Sequence, residues 1–279
     1  WYRAGHPSKG DAVTASHAKL VLEELQTGLL TVVLNRPERR NALNSELCGQ
    51  LVDALQRAAE SAEVRAVLLK GAGGTFCVGG DVKAMAQSDG PDVGVDERVR
   101  QLRSRMEASR LLHDMPKPTV AAIAGAAAGA GLALALACDL RVAGESAKIT
   151  TAFGKVGLSG DFGGTYFMTK LIGSARAREL YMTSPILGAK QAMDLGVVTR
   201  VVADDQVDAA GAELARSLAD GPTLTFGHMK HNLNLAEHAS LSECLDNEAW
   251  RHILCMTTAD HREAAVAFVE KRAPRFTGK

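Results

Sequence analysis

The sequence predicts an α/β core followed by an all-helical C-terminal region. Up to residue 203, short apolar runs are each followed by a glycine-rich loop or turn and then by a helical stripe, and this unit recurs. From residue 204 onward only helical periodicity remains. The composition agrees: 46% apolar and 23% charged residues describe a globular chain rather than a disordered one, and 279 residues are enough to bury a sizeable core.

The elements follow in order. Residues 1–17 read as a flexible leader outside the fold, 18–203 as the core, and 204–279 as the helical region. Residues 19–25 and 29–35 alternate as two strands around Gly28, a hairpin. Asn44 or Ser45 caps a helix through residue 60, with Leu47, Leu51, Leu55 and Ala58 on one stripe. Residues 65–70 form a buried strand and 71–82 a glycine-rich loop, with a short helix at 83–87, a linker-like stretch at 88–96 and a helix at 97–114. The unit then repeats with a strand at 119–124, a glycine turn and a helix at 130–138. Short strands are expected at 139–143, 148–151 and 197–202, and helices at 162–172, 175–182 and 189–195. The C-terminal helices are expected at 204–219, 222–237, 241–257 and 259–271.

Several function classes are excluded early. Lys+Arg and Asp+Glu both number 32, so no excess of basic charge marks a nucleic-acid binder. Aromatics at 4% argue against base-stacking platforms. Five cysteines, an odd number without a CxxC pair, argue against a disulfide framework or a zinc ribbon and fit a cytoplasmic setting. The uncharged stretch 119–138 is long enough to span a membrane, but it is mostly Ala and Gly between Pro118 and Asp139. It reads as a buried strand, turn and helix, with no membrane role.

The common catalytic motifs fail one by one. The nearest approach to GxSxG is Gly157-Leu-Ser-Gly-Asp161, which lacks the last glycine. GxxxxGK[ST] is absent around 71–75, and the glycines of 125–131 do not have dinucleotide-binding spacing. His228, His231 and His238 lack a carboxylate companion and read as solvated, so no metal site is expected. Two loops remain. Cys77-Val-Gly-Gly-Asp81 and Gly125-Ala-Ala-Ala-Gly-Ala-Gly131 each follow a buried strand and carry small residues that expose backbone N–H groups, the second at a helix N-terminus. Paired donors of that kind stabilise a developing oxyanion.

At these residues the chain resembles the crotonase (enoyl-CoA hydratase/isomerase) superfamily. The strings that carry the resemblance are NRPERRNAL (35–43), GTFCVGGDVKAM (74–85), PKPTVAAIAGAAAGAGLALALACDLRVA (116–143), KVGLSGDFGGTYFMTKLIG (155–173), AMDLGVVTRVV (192–202) and FVEKRAPRFTG (268–278), in the family's order and spacing. The resemblance implies a ClpP/crotonase-like spiral of ββα units with a C-terminal helical trimerisation region, hence a homotrimer or a dimer of trimers. It implies acyl-CoA thioester substrates, coenzyme A entering with the substrate and no permanently bound cofactor. It also implies that the N–H groups of Gly80 and Ala130 are the oxyanion donors.

The acid/base positions separate the family's reactions. Members that hydrate enoyl-CoA place two glutamates where this chain has Ala133 and Phe153, so their two-carboxylate mechanism is not available here. Asp161, in GLSGDFGGT (157–165), matches a position where several relatives carry an acidic residue, among them enoyl-CoA isomerases, the ring-epoxide isomerase of phenylacetyl-CoA breakdown and an aryl-CoA dehalogenase. That string and SARARELYMTS (174–184) are most similar to the isomerase group. Asp161 is therefore expected to be the single proton carrier in a double-bond shift, with Ala133 and Phe153 making the pocket apolar; a helix N-cap before Phe162 is its structural alternative. The resemblance further assigns Arg39 and Lys83 to the CoA phosphates, Ala42, Val78 and Asp81 to the adenine side, and Lys271 to a neighbouring subunit's CoA. Two other functions stay open: a hydratase or other crotonase chemistry with relocated groups, and a degenerate member that binds acyl-CoA without turnover.

Overall fold

A computed structural model describes residues 19–83 and 93–279. The leader at 1–17, most of the helix expected at 83–87 and much of the linker-like stretch 88–96 lie outside the described residues. Strands β1 (Val21–Gln26) and β2 (Leu29–Leu34) form the expected hairpin, Val21 opposite Leu34. From β2 the sheet continues in parallel through β3 (Ala66–Gly71), β4 (Thr119–Ile123), β6 (Leu140–Gly144) and β9 (Arg200–Val202), each next to its predecessor. A second, small sheet joins β5 (Ala126–Ala128), β7 (Lys148–Thr150) and β8 (Leu187–Gly188). Only Ala124 and Gly125 separate β4 from β5, and the left-handed backbone of Gly125, φ +61°, turns the chain from one sheet to the other.

Helix α1 (Ser45–Glu60) starts where Asn44 accepts a hydrogen bond from the Leu47 N–H at 2.8 Å. It buries Leu47, Cys48, Leu51, Ala54, Leu55 and Ala58, the stripe the sequence shows. The single helix expected at 97–114 is two, α2 (Val95–Arg105) and α3 (Glu107–Asp114), meeting at Met106. The first buries no side chain and the second buries Ala108, Ser109, Leu111 and Leu112, so the chain bends where a buried face begins. All eight residues of α4 (Ala130–Ala137) are buried. An all-apolar helix of that length belongs in a core, and among the described residues no helix is long and apolar enough to cross a membrane. Helix α5 (Gly164–Thr183) is broken at Gly173, between the two helices expected there.

Helix α6 (Ala189–Asp194) leads to β9. The helices that follow are α7 (Val207–Ala219), α8 (Thr223–Ala236), α9 (Leu241–Met256) and α10 (Ala259–Glu270). The first of them packs on β3, β4 and β6. Its Val207, Ala215 and Ala219 join Leu29, Ala66, Leu68, Val120, Ala122 and Val142 in a core of their own behind the sheet. The helical region expected from 204 thus begins with a helix that the sheet needs for burial. Helix α8 is tied down by Lys230, whose buried ammonium donates to Asp139 Oδ2 at 2.9 Å and to the Leu112 carbonyl at 2.8 Å. Asp139 also accepts from the Thr119 N–H and hydroxyl, so one carboxylate joins β4 to α8.

Candidate active site

The loop after β3 is held from outside by Asn41. This residue is wholly buried, and its side-chain amide donates to the Ala72 and Thr75 carbonyls at 2.9 and 2.6 Å while its oxygen accepts from the Arg36 N–H at 2.9 Å. The loop then runs beside β5: the Cys77 N–H donates to Ala126 O, and the Ala128 N–H to Cys77 O, both at 3.0 Å. On its other side the Leu43 N–H donates to Gly79 O at 2.7 Å and the Asp81 N–H to Leu43 O at 3.2 Å. This pairing leaves the Gly80 N–H facing away from Leu43. Among the described residues neither the Gly80 N–H nor the Ala130 N–H donates a hydrogen bond. Ala130 is the first residue of α4, so its N–H is one of the donors a helix leaves free.

The two loops touch. At Gly79, φ is +88°, and a Cβ there would lie 2.8 Å from Ala128 O and 3.3 Å from the Ala130 nitrogen. Gly131 is equally close to the first loop, since a Cβ on it would lie 2.7 Å from Cys77 Cβ. The small residues of both motifs thus bring into neighbouring loops two backbone N–H groups that have no hydrogen-bond partner among the described residues.

Asp161 lies in a loop of unusual backbone: Phe162 has φ +49° and Gly163 φ +74°. Its own carbonyl accepts from the Gly164 N–H at 3.0 Å, while its side chain caps no N–H. The helix-cap alternative therefore does not describe it. Its Oδ1 is buried without a hydrogen-bond partner among the described residues. Burial raises the carboxyl to about 6. The Asp161 charge is felt by two neighbours, the Cys48 thiol and the Tyr181 phenol. Burial pushes Cys48 up to about 11 and Cys77 up to about 12, so both thiols stay protonated and neither is an activated nucleophile.

Ala133 and Phe153 are both buried and both border this region. Phe153 lies 3.8 Å from where a Gly129 Cβ would stand, against the turn that opens α4, and stacks on Tyr181 with ring centroids 6.0 Å apart. Tyr181 is a site residue the sequence did not reveal; it lies in the last turn of α5, remote in sequence from every glycine-rich motif.

The residues expected to meet CoA are carried by adjacent segments. Arg39 ends a short 3₁₀ turn, Pro37–Arg39, and is exposed, as is Lys83. The Val78 N–H donates to Arg40 O at 3.3 Å, and Ala42 is buried next to Leu43, which bridges to Gly80. Asp81 is buried in an ion pair: its carboxylate pairs with Arg36 at 2.9 Å, and the same guanidinium nitrogen donates to Ala42 O at 3.0 Å. Asp81 is thereby a tie between the segment 36–42 and the donor loop, and Arg36 is the partner the sequence did not disclose. Lys271 is elsewhere in the chain, exposed at the C-cap of α10.

Residues 24–279 match the family model described as Enoyl-CoA hydratase/isomerase. The chain belongs to this family. It is 38% identical over 264 residues to the 1,2-epoxyphenylacetyl-CoA isomerase of Escherichia coli (strain K12), covering 94% of this chain and 99% of that one. It is 32% identical over 262 residues to the trans-2-decenoyl-[acyl-carrier-protein] isomerase of Streptococcus mutans, with 94% and 99% covered. The crystal structure of an enoyl-CoA hydratase from Polaromonas sp. JS666 superposes with a TM-score of 0.86 at 29% identity, covering 92% of this chain and 99% of that one. This hydratase/isomerase chain therefore has the crotonase fold, and its family acts on CoA thioesters.

Proposed function

We propose that the protein shifts a carbon–carbon double bond in an acyl-CoA thioester, with Asp161 as the one acid/base group. The observation that carries this is the state of Asp161: a half-buried carboxyl raised to about 6, one oxygen enclosed and unpaired, with alanine and phenylalanine at 133 and 153. A base of that strength is ionised at neutral pH and still a good proton acceptor.

The ionised Asp161 takes a proton from the carbon next to the thioester. The electrons of that C–H bond form the enolate, whose oxygen is held by the Gly80 and Ala130 N–H groups. Asp161 then returns the proton two carbons further along, and the double bond moves. The apolar side chains of Ala133 and Phe153 keep water from the intermediate, favouring isomerisation over hydration. Arg39 and Lys83 bind the CoA phosphates, with Ala42, Val78 and Asp81 beside the adenine, and the substrate brings the coenzyme A.

The C-terminal helices support a homotrimer or dimer of trimers. Trp250, Leu241, Phe268 and Val269 are large apolar side chains left at 69% exposure or more. Lys271 follows that face and reaches a neighbouring subunit's CoA in such an assembly. Five free cysteines accord with a cytoplasmic setting.

The deciding experiment is incubation with a 3-enoyl-CoA in D₂O. Deuterium at the α-carbon of recovered thioester, lost in Asp161→Asn, is the expected result. Water addition to a 2-enoyl-CoA without exchange would instead favour a hydratase, and binding without any exchange or product a non-catalytic acyl-CoA binder.

A further inference from the structure

His228 has no place in the reaction just described, yet it belongs to a built cluster. A cavity of about 490 Å³ lies between α8, α9 and α10, with His228, Arg251, His252 and His261 on its wall. The Arg251 guanidinium is fixed in it. Its Nε donates to Asn247 Oδ1 at 3.0 Å and its Nη1 to His228 Nδ1 at 2.9 Å, while the Asn247 amide donates to Asn232 Oδ1 at 2.7 Å. A guanidinium has no acceptor, so His228 accepts on Nδ1 and carries its own proton on Nε2. Burial first, and the Arg251 charge second, hold His228 below its ordinary value, so the ring is neutral at neutral pH. His231, three residues on, is lowered by the same two causes.

The Arg251 charge has no carboxylate partner among the described residues, and its Nη2 donors are unused there. Asp260, on the same wall, is already taken by the Thr277 and Gly278 N–H groups at 2.7 and 2.8 Å. Elsewhere the wall carries Pro222, Met229, Ala264 and Phe276, an apolar lining. An oriented guanidinium with free donors matches the two oxygens of a carboxylate. A dianion fits less well, since the carboxylates of Glu248 and Asp260 also border the cavity. We propose that this cavity is a second binding site, for a carboxylic acid with a short hydrocarbon body whose carboxylate is held by Arg251. The ligand would touch all three helices, so occupancy braces them. None of the four apolar side chains assigned above to subunit contact lines the cavity. None of its wall residues takes part in the acyl-CoA chemistry above, so the two sites stand or fall independently.

The test is binding, independent of turnover. Sodium hexanoate is titrated calorimetrically into the whole protein at neutral pH, beside 1-hexanol and inorganic phosphate. The expected Kd for hexanoate is on the order of 0.1–1 mM, with hexanol roughly tenfold weaker or more and phosphate weaker than hexanoate. In Arg251→Gln the hexanoate Kd rises roughly tenfold or more. Ala264→Phe, which fills part of the apolar lining, weakens hexanoate as well. Absence of hexanoate binding to the parent overturns the inference. So does equal binding of hexanol, tighter binding of phosphate, or hexanoate affinity unchanged in Arg251→Gln. If Arg251→Gln fails to fold, Ala264→Phe and the hexanoate-to-hexanol ratio of the parent decide in its place.

Discussion

Gly79 backs directly onto the amide of Ala130, leaving only 3.3 Å between that nitrogen and the place a Cβ would occupy. The contact sets how near the two donor loops come. Neither loop is held by its own secondary structure alone. The first is pinned by Asn41 and by Cys77, the second by the pairing of β5 with β7. The separation of the two donors is therefore a packing distance, and packing distances respond to a single methyl group.

Gly79→Ala adds that methyl at φ +88°, a conformation L residues rarely adopt, and presses it to 2.8 Å from Ala128 O. The loops must part. The expected outcome is a fall in kcat on the order of a hundredfold, the size of losing one oxyanion donor, with a much smaller change in KM. Steady-state kinetics with one 3-enoyl-CoA checks it; an unchanged kcat in a folded variant would show that the loop contact does not set the donors.

Asp161 must be ionised to accept a proton. With its carboxyl at about 6, kcat/KM should rise with pH through that value and level off above it. Asp161→Asn is expected to lose roughly a hundred- to ten-thousandfold in kcat. The pH–rate profile and the variant test the same group by separate routes, and a limb near the ordinary carboxylate value would contradict its burial.

The same carboxyl affects folding. In the unfolded chain it titrates near the ordinary value of about 3.9; in the folded protein it titrates at about 6. Between these values the native state binds more protons. The stability associated with protonated Asp161 is therefore present at low pH, lost as pH rises through 6, and absent above it. Asp161→Asn has no charge to strand in the site. Allowing for its partial contact with solvent, the variant should be more stable than the parent above pH 6 by about 1–2 kcal/mol, with the gap closing toward pH 4. Urea unfolding at about pH 4.5 and about pH 7.5, on either side of the folded-state value, measures the difference. An inactive variant with higher stability is the signature of a strained catalytic group.

What could be read from the sequence follows from where periodicity exists. The hairpin of β1 and β2, the stripe of α1 and the all-apolar α4 each repeat long enough to be recognised. Strands β5 and β8 span three and two residues, too short for alternation to show. The bend at Met106 has neither Gly nor Pro to mark it. In the candidate site, the two donor-bearing loops stand out by their small residues, whereas the roles of Gly80, Ala130 and Asp161 within it rest on the resemblance to the family. The Arg36–Asp81 pair joins residues 45 positions apart, and Tyr181 reaches the Asp161 loop from the far end of a helix. Both depend on how helices and loops meet in space, which no local pattern encodes.

Asn41 is the clearest case of a polar side chain acting as structure. It is fully buried, adopts φ +56°, and makes three hydrogen bonds to backbone groups on either side of it. Asn41→Ala leaves those groups unpaired and replaces a residue that tolerates a left-handed backbone with one that does so poorly. A loss of about 2–4 kcal/mol is expected in urea unfolding. Asn41→Asp should do no better, since it keeps the acceptor but turns two carbonyl oxygens toward a carboxylate. A variant as stable as the parent would place the hold on this loop elsewhere.

Arg39 and Lys83 are both exposed, on segments joined through the Leu43–Gly80 bridge. If they meet the phosphates of CoA, they act on that end of the substrate and not on the reacting carbons. Removing both, as Arg39→Ala/Lys83→Ala, should raise KM for an enoyl-CoA by roughly three- to tenfold, the scale of solvent-exposed charge pairs, and leave kcat almost unchanged. The pantetheine thioester of the same acyl group lacks the nucleotide phosphates, so its kinetics should be the same in parent and variant. Added salt should raise KM for the parent more than for the variant, because screening removes an attraction the variant no longer has. A double variant that lowers kcat for both thioesters alike would place these cations in the architecture of the donor loops instead.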